Sequence, residues 1–256
     1  MSDDAWPEAA VDYVQAIADT KLLLGQRYAQ WSLAAPSLED DIGGASAAQE
    51  EIGHVRQLFR LLEGQGRDGD WLRGDRDPDA FANASSLDTP GETWVEFLAN
   101  VGPADRAAWF LLDAIDHDDF RGMVDKMGED EYFHLEYHDA RLETLAAEQP
   151  EALQAALEPS LAGSLGLLGP ASYDEDADPV FEAGFTSRTV ADLREAFVDH
   201  YESLFADTDV SLDGVDWDAP AEDAWDASRR RADGGSISDA DLVLLRGSRN
   251  EVFAIR

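Results

Sequence analysis

Two glutamate–histidine pairs are the residues whose types and spacing point most clearly to chemistry. Glu51 precedes His54 in "EEIGH", and Glu131 precedes His134 in "EYFH", although the chain has only five histidines. Residues three apart on an α-helix project from the same face, so a carboxylate oxygen and an imidazole nitrogen can reach one metal ion. A set of carboxylates and imidazoles suits iron or manganese. The two pairs therefore predict a metal site.

The elements that must position these pairs are helices, because apolar residues recur at i, i+3, i+4 and i+7 along most of the chain. The pattern predicts four long helices with these bounds: residues 8–34; from a cap at Ser37 to about Glu63; from about Glu92 to about Asp119 with a break at Gly102–Pro103; and a fourth helix carrying Met123, Met127, Tyr132, Leu135, Leu142 and Leu145. The two Glu-x-x-His pairs fall on the second and the fourth helix.

The connection between the second and third helices sets the topology. Residues 64–91 are rich in Gly, Asp and Pro and have no sustained period. A crossover of this length lets the flanking helices run parallel, which predicts an all-α, ferritin-like four-helix bundle. Candidate helices at 151–168 and 188–206 follow. We expect one domain over residues 1–256, with a bundle core at about 8–148 and a C-terminal helical extension at about 151–256.

Ferritin-like metal sites take a Glu-x-x-His pair from two helices and one carboxylate from each of the others. If the turn between the third and fourth helices centres near Gly122, Glu131 lies nine residues after it and Asp113 nine before it. Because these positions face each other across an antiparallel pair, Asp113 is the predicted ligand of the third helix. Asp116 and His117, one turn away, are the reserves.

The first helix offers lysine where such a site needs a carboxylate. With the first turn near Pro36, Glu51 lies 15 residues after it and Lys21 lies 15 before it. A buried ammonium there would supply the charge of one metal ion and would pair with Glu51 or Asp113. Two interpretations stay open at this point. In the first, Lys21 is buried and the site holds one metal ion or none in place of two. In the second, the register is shifted and Lys21 is exposed.

Three further residues are predicted to support this site. His138, one turn after His134, is expected to contact a ligand instead of the metal. Glu50 and Asp130, which precede the two ligand glutamates, are expected to face solvent or to orient a histidine. The alternative for His54 and His134 is that both are core histidines, hydrogen-bonded to the neighbouring glutamates.

Composition excludes several classes of function. The chain has 19 basic and 55 acidic residues, a net charge of -36, and no cysteine. It would repel nucleic acid, and it cannot use thiolate chemistry. The N-terminus lacks a basic, apolar signal sequence and no apolar run spans a bilayer, so we expect a cytoplasmic protein without membrane contact. The acidic, lysine-poor composition is typical of halophilic proteins, whose self-repulsion is screened by molar salt.

The sequence resembles the ferritin-like subunits of phenylacetyl-CoA epoxidase, also called phenylacetic acid catabolism proteins. The resemblance runs from about Tyr13 to the C-terminus and includes "LLLGQRYAQWSLAAPSLEDDIGGASAAQEEIGHVRQL". The family has a catalytic di-iron subunit and a scaffold subunit that has lost its ligands. The two Glu-x-x-His pairs are like those of the catalytic subunit, whereas the overall length and "GFTSRTVADLREAF" are more like the scaffold, and Lys21 stands where the catalytic subunit has glutamate.

The resemblance implies an oxygenase component that acts on phenylacetyl-CoA or a related aryl-CoA thioester. It implies two iron ions, or one if Lys21 replaces a ligand, with manganese as the alternative metal. The implied partners are a homologous ferritin-like subunit and a reductase. A non-catalytic scaffold and an iron-handling or peroxide-scavenging bundle are the alternative functions. The sequence itself shows no clustered basic patch for CoA apart from Arg229, Arg230 and Arg231, which we interpret as an ordinary solvated helix face.

Overall fold

Helices make up most of the computed structural model, which describes residues 5–173, 177–232 and 234–247. In chain order the elements are α1 (Glu8–Trp31), α2 (Leu38–Gly64), α3 (Gly69–Leu72), α4 (Trp94–Asp113), α5 (Met123–Glu148), α6 (Pro150–Leu168), α7 (Pro179–Glu182), α8 (Val190–Phe205), β1 (Trp225–Asp226), β2 (Arg231–Ala232) and α9 (Asp239–Leu245). The expected all-α, ferritin-like fold is confirmed.

The bundle consists of α1, α2, α4 and α5. A short turn makes α1 and α2 antiparallel, and the Ser37 side chain accepts a hydrogen bond from the backbone N–H of Asp40 to begin α2. The Tyr13 hydroxyl donates to the Leu111 carbonyl at 2.7 Å. At the other end of α1, Tyr28 packs on Phe97, so α1 is antiparallel to α4 as well. It follows that α2 and α4 run parallel, as the long crossover predicts.

The crossover is anchored on the bundle, and its residues 81–84 are buried. It contains α3 and two 3-10 turns, at Pro78–Ala80 and Ser85–Asp88. Its anchor is Arg76, which binds the buried Asp19 carboxylate of α1 through both terminal nitrogens. Asp19 also accepts from the Ala82 backbone N–H at 2.9 Å. These bonds satisfy a charge that would be costly to bury alone.

The predicted break at Gly102–Pro103 is wrong, because α4 continues through both residues. Proline lacks the N–H that would bond the carbonyl four residues earlier, at Ala99. The Ser160 hydroxyl of α6 donates to this carbonyl instead. The hydrogen-bonding gap is thus filled from a neighbouring helix, which sequence periodicity cannot reveal.

The run Arg229–Arg231 is not a solvated helix face, because it lies in the turn and second strand of the β1–β2 hairpin. The Arg230 guanidinium donates to the Leu167 carbonyl at 3.0 Å, at the C-terminal end of α6. Arg231 is 1% exposed and pairs with Asp88 of the crossover. These arginines tie the hairpin to the helices. The predicted single domain with its C-terminal extension stays a prediction, and residues 248–256 lie outside the described part of the chain.

Candidate metal centre

One buried cluster draws a charged side chain from each helix of the bundle. The Lys21 ammonium of α1 lies 3.1 Å from Glu51 Oε1 of α2, 2.5 Å from Asp105 Oδ1 of α4 and 2.5 Å from Glu131 Oε1 of α5. All four side chains are fully buried. Lys21 is therefore not the exposed residue of a shifted register. The structure places it at the centre of the predicted site.

The two histidines each face the glutamate of the opposite pair. His54 Nδ1 lies 3.2 Å from Glu131 Oε1, and His134 Nδ1 lies 3.3 Å from Glu51 Oε1. The two ring centroids are 6.5 Å apart. Since α2 and α5 are antiparallel, the Glu-x-x-His pairs meet head to tail and converge on one interior point. The structure thus brings together all four residues of the two sequence motifs.

Glu50 and Asp130 orient the histidines. Glu50 Oε2 lies 2.8 Å from His134 Nε2, and Asp130 Oδ2 lies 3.2 Å from His54 Nε2. Both carboxylates are partly exposed, and they border a cavity of about 260 Å³ between α2 and α5. Each acid fixes the ring of the histidine on the other helix, so the two aim their Nδ1 atoms inward.

His138 lies at the edge of the cluster. Its Nε2 shares a short hydrogen bond with the Tyr28 hydroxyl, and its Nδ1 lies 3.8 Å from Asp105 Oδ2. Complete burial, opposed only in part by Asp105, lowers the pKa of His138 to about 4. This neutral imidazole lies beside one carboxylate of the cluster and outside the group of nearest donors, and its supporting role stays a prediction.

The cluster holds its histidines in the charged form. Burial lowers the pKa of His54, but the adjacent carboxylates of Glu131 and Glu51 outweigh burial and raise that pKa to about 9. Burial likewise lowers the pKa of His134, whereas Glu51 and the other nearby carboxylates raise it to about 10. Burial opposes ionisation of Glu51, yet Lys21 and the two histidines bring its pKa well below the ordinary value. Burial and the neighbouring Asp105 raise the pKa of Glu131 to about 7, so this carboxylate is the one that holds a proton most readily. Cationic groups thus stabilise the charged form of Glu51 without a metal.

Asp113 is the one predicted ligand that the structure places elsewhere. It is exposed at the C-terminal end of α4, and Asp105, about two turns earlier, occupies the position in the cluster. The prediction assumed a turn centred at Gly122, but the connection runs over 114–122 and centres at 118. Glu131 is 13 residues after that centre, and Asp105 is 13 before it.

The reserve ligands are also remote from the cluster. Asp116 is exposed, and its backbone N–H donates to the Phe185 carbonyl. The His117 ring packs against Trp6 and Phe185. The helical sequence pattern continues past Asp113, while the chain itself leaves the helix there to form a 3-10 turn at Asp118–Phe120.

The donor set fits one cation and does not fit a two-iron centre. Donor atoms of Glu51, Asp105, Glu131 and His134 all lie within 4.8 Å of one another, close enough to hold a metal ion. Several buried atoms here lack a hydrogen-bond partner: Glu51 Oε2, Asp105 Oδ2, Glu131 Oε2, His54 Nδ1 and His134 Nδ1. However, α1 supplies an ammonium where a two-metal site needs a carboxylate, and this ammonium already lies between three of the donors.

Comparison with known proteins assigns the sequence to a described family. Residues 1–225 match the model of a family described as phenylacetic acid catabolic protein. The match includes α1 to α8 and therefore the whole cluster, while β2 and α9 lie beyond it. No curated protein matches the sequence. None of the helices in the described ranges combines the length and hydrophobicity of a membrane span.

Proposed function

The chain belongs to the phenylacetic acid catabolic protein family, and from this premise we propose that it is a subunit of a multicomponent monooxygenase acting on phenylacetyl-CoA or a related aryl-CoA thioester. The convergence of two Glu-x-x-His pairs inside a ferritin-like bundle supports this proposal. In such complexes the metal supplies oxygen activation, and electrons are delivered by a separate reductase.

Within that complex we assign this chain the role of a non-catalytic companion to a homologous, metal-bearing subunit. The observation that carries the role is the Lys21 ammonium, held by carboxylates of the other three helices. A two-iron site needs a carboxylate from α1, and no other acidic residue of α1 reaches the cluster: Asp19, the acidic residue nearest to Lys21 on that helix, is bound by Arg76. The cluster then joins the four helices of the bundle through ion pairs.

A second candidate role is a subunit with one bound metal ion. It is favoured by the four donor residues whose ligand atoms lie within 4.8 Å of one another. Iron would be the expected ion, with manganese as the alternative. This role requires the Lys21 ammonium to leave the space between the carboxylates, so the metal content of the purified protein separates the two roles.

Reconstitution tests the proposed function. This chain, its homologous subunit and the reductase are combined in molar KCl with phenylacetyl-CoA, and the oxygenated thioester is measured by mass spectrometry. We expect co-elution of the two ferritin-like subunits and a loss of most turnover when this chain is omitted. As a positive control, the variant Lys126→Ala, which changes an exposed lysine, should support full turnover. Turnover by this chain with the reductase alone, or undiminished turnover in its absence, contradicts the proposal.

A further inference from the structure

The surroundings of the Lys21 ammonium are complete without any added ion. An ammonium group has three N–H donors. Lys21 Nζ meets three carboxylate oxygens, at 2.5, 2.5 and 3.1 Å, and each comes from a different helix of the bundle. With the bond to its own side chain, Nζ therefore has four neighbours, and every donor has an ionised or ionisable partner. This is the environment that a tetrahedral cation would require.

A metal ion bound to the same three oxygens would need the volume that Nζ fills. Metal–oxygen bonds to carboxylates are about 2.0–2.2 Å long. Oxygens of Glu51, Asp105 and Glu131 already surround one point within 3.1 Å. Small inward movements of these side chains would bring the oxygens to bonding distance from an ion at that point. The ammonium and the ion cannot share this space.

Removal of the ammonium would leave a nearly formed ligand set. His134 Nδ1 and the second carboxylate oxygens of Glu51 and Asp105 are buried and have no hydrogen-bond partner. Glu50 already orients His134 from outside. Three carboxylates and an oriented imidazole would then surround an empty, negatively charged space, which strongly favours uptake of a divalent cation.

We propose that Lys21 is a built-in substitute for a metal ion, so that the native bundle excludes divalent metal and a latent metal site opens when the ammonium is replaced. This inference rests on the geometry of the cluster and does not depend on the role of the chain in an oxygenase. Cobalt(II) is a suitable probe, because its visible absorption reports ligand geometry and imidazole binding without any catalytic assay.

The first test uses the unaltered chain, purified in molar KCl to screen its acidic surface. We expect the unaltered chain to bind less than about 0.1 equivalent of Co(II) in a form whose visible absorption indicates histidine ligation. We also expect its melting temperature not to change when Co(II) or a chelator is added. One equivalent bound by the unaltered chain, and lost in the His134→Gln variant, would overturn the proposal.

The second test compares two lysine substitutions. Lys21→Glu places a carboxylate in the cluster, and we expect it to bind at least one equivalent of Co(II) and to melt at a higher temperature with the metal than without it. Lys126→Glu changes the charge equally at an exposed lysine that makes no hydrogen bond or ion pair with the described residues, and it should bind no more Co(II) than the unaltered chain. Adding His134→Gln to Lys21→Glu should weaken the uptake at least about tenfold.

A neutral substitution of the same lysine keeps the test decisive if Lys21→Glu does not fold. Lys21→Met has a side chain of similar length without charge, and we expect it to bind one equivalent of Co(II). Folding of either variant only in the presence of metal supports the proposal, because binding free energy then contributes to folding. Absence of Co(II) uptake by both Lys21 variants overturns it.

Discussion

At the scale of single residues, the interior is organised by charges that must find partners. Lys21 and Asp105 are both fully buried, and neither has access to water. A buried charge that loses its partner is strongly destabilising, although the intact pair itself adds little stability. Substitutions can therefore test which residues of α4 face the cluster. A residue that belongs to the cluster should be sensitive to substitution, and a residue of the same type outside it should be tolerant.

Two aspartates of α4 provide a matched pair for that test. Asp105→Asn leaves one donor of the Lys21 ammonium without a charged acceptor, so we expect a loss of about 3–5 kcal/mol in the free energy of unfolding. Asp113→Asn removes an exposed charge at the end of the same helix and should change it by no more than about 0.5 kcal/mol. Chemical unfolding in molar KCl measures both. Equal effects of the two substitutions would contradict the observed register.

The histidines of the cluster predict how stability depends on pH. The folded protein holds a proton on His54 up to about pH 9 and on His134 up to about pH 10, whereas the ordinary pKa is 6.5. This stabilisation is fully present below pH 6.5 and is lost as the pH rises through the folded-state values. Between pH 7 and 9 the free energy of unfolding should fall by up to about 1.4 kcal/mol per pH unit for each histidine, and between pH 9 and 10 mainly through His134.

The variant His134→Gln should have a shallower fall over the same pH range, measured by chemical unfolding at each pH. His200→Gln is the control, since His200 lies outside the cluster and pairs with Asp139. An identical slope in the unaltered chain and in His134→Gln would show that this histidine does not carry the extra proton.

At the scale of helices, side chains from one element complete the backbone hydrogen bonding of another. Ser160 of α6 compensates for Pro103 within α4, and Arg230 caps carbonyls at the end of α6. α8 begins with a capping box in which the Thr189 hydroxyl and the Asp192 carboxylate each accept the other's backbone N–H. Such caps fix where a helix begins and keep its apolar face in register with the helices that it contacts.

Thr189→Ala removes the hydroxyl of that capping box, so the backbone N–H of Asp192 loses its acceptor. We expect a loss of about 1 kcal/mol in the free energy of unfolding. Thr144→Ala is the matched control, because Thr144 is exposed within α5 and its hydroxyl bonds only the preceding turn. A comparable loss in both variants would mean that the effect comes from threonine itself and not from the cap.

At the scale of the whole molecule, the scarce cations are used internally. One of the two lysines lies in the cluster, and Arg27 and Arg76 are buried in ion pairs with Asp241 and Asp19. Because each of these cations is paired with a buried carboxylate, none of them offsets the exposed acidic residues, which account for nearly all of the net charge of -36. Repulsion between exposed carboxylates opposes folding unless salt screens it.

We therefore expect the melting temperature to rise by several degrees between low and molar KCl. For a chain of this size, each kcal/mol of stability shifts the melting temperature by about 2–4 °C. Differential scanning calorimetry at increasing KCl concentrations measures the effect, with sucrose as a control for general stabilisation without screening. A melting temperature that does not depend on KCl would contradict a surface adapted to high salt.

The sequence alone determined the long helices and their order. Apolar periodicity and the cap at Ser37 gave the bounds of α1 and α2 to within a few residues, and the long connection gave the ferritin-like crossover. Spacing within one helix identified both Glu-x-x-His pairs, because residues on one helical face stay together whatever the helix packs against. Lys21 follows instead from equal counts on either side of the turn near Pro36. These properties depend on one helix or on the connection between two consecutive helices, and are therefore encoded in continuous stretches of sequence.

Only the tertiary structure decided which residues complete the cluster. Asp105 instead of Asp113 faces Glu131, because the connection after α4 begins earlier than periodicity indicates and shifts the register of α4 against α5 by about two turns. The environment of Lys21 likewise depends on three other helices. Register between helices is set by packing and by the length of irregular segments, and a burial partner distant in sequence leaves no periodic signal in the chain.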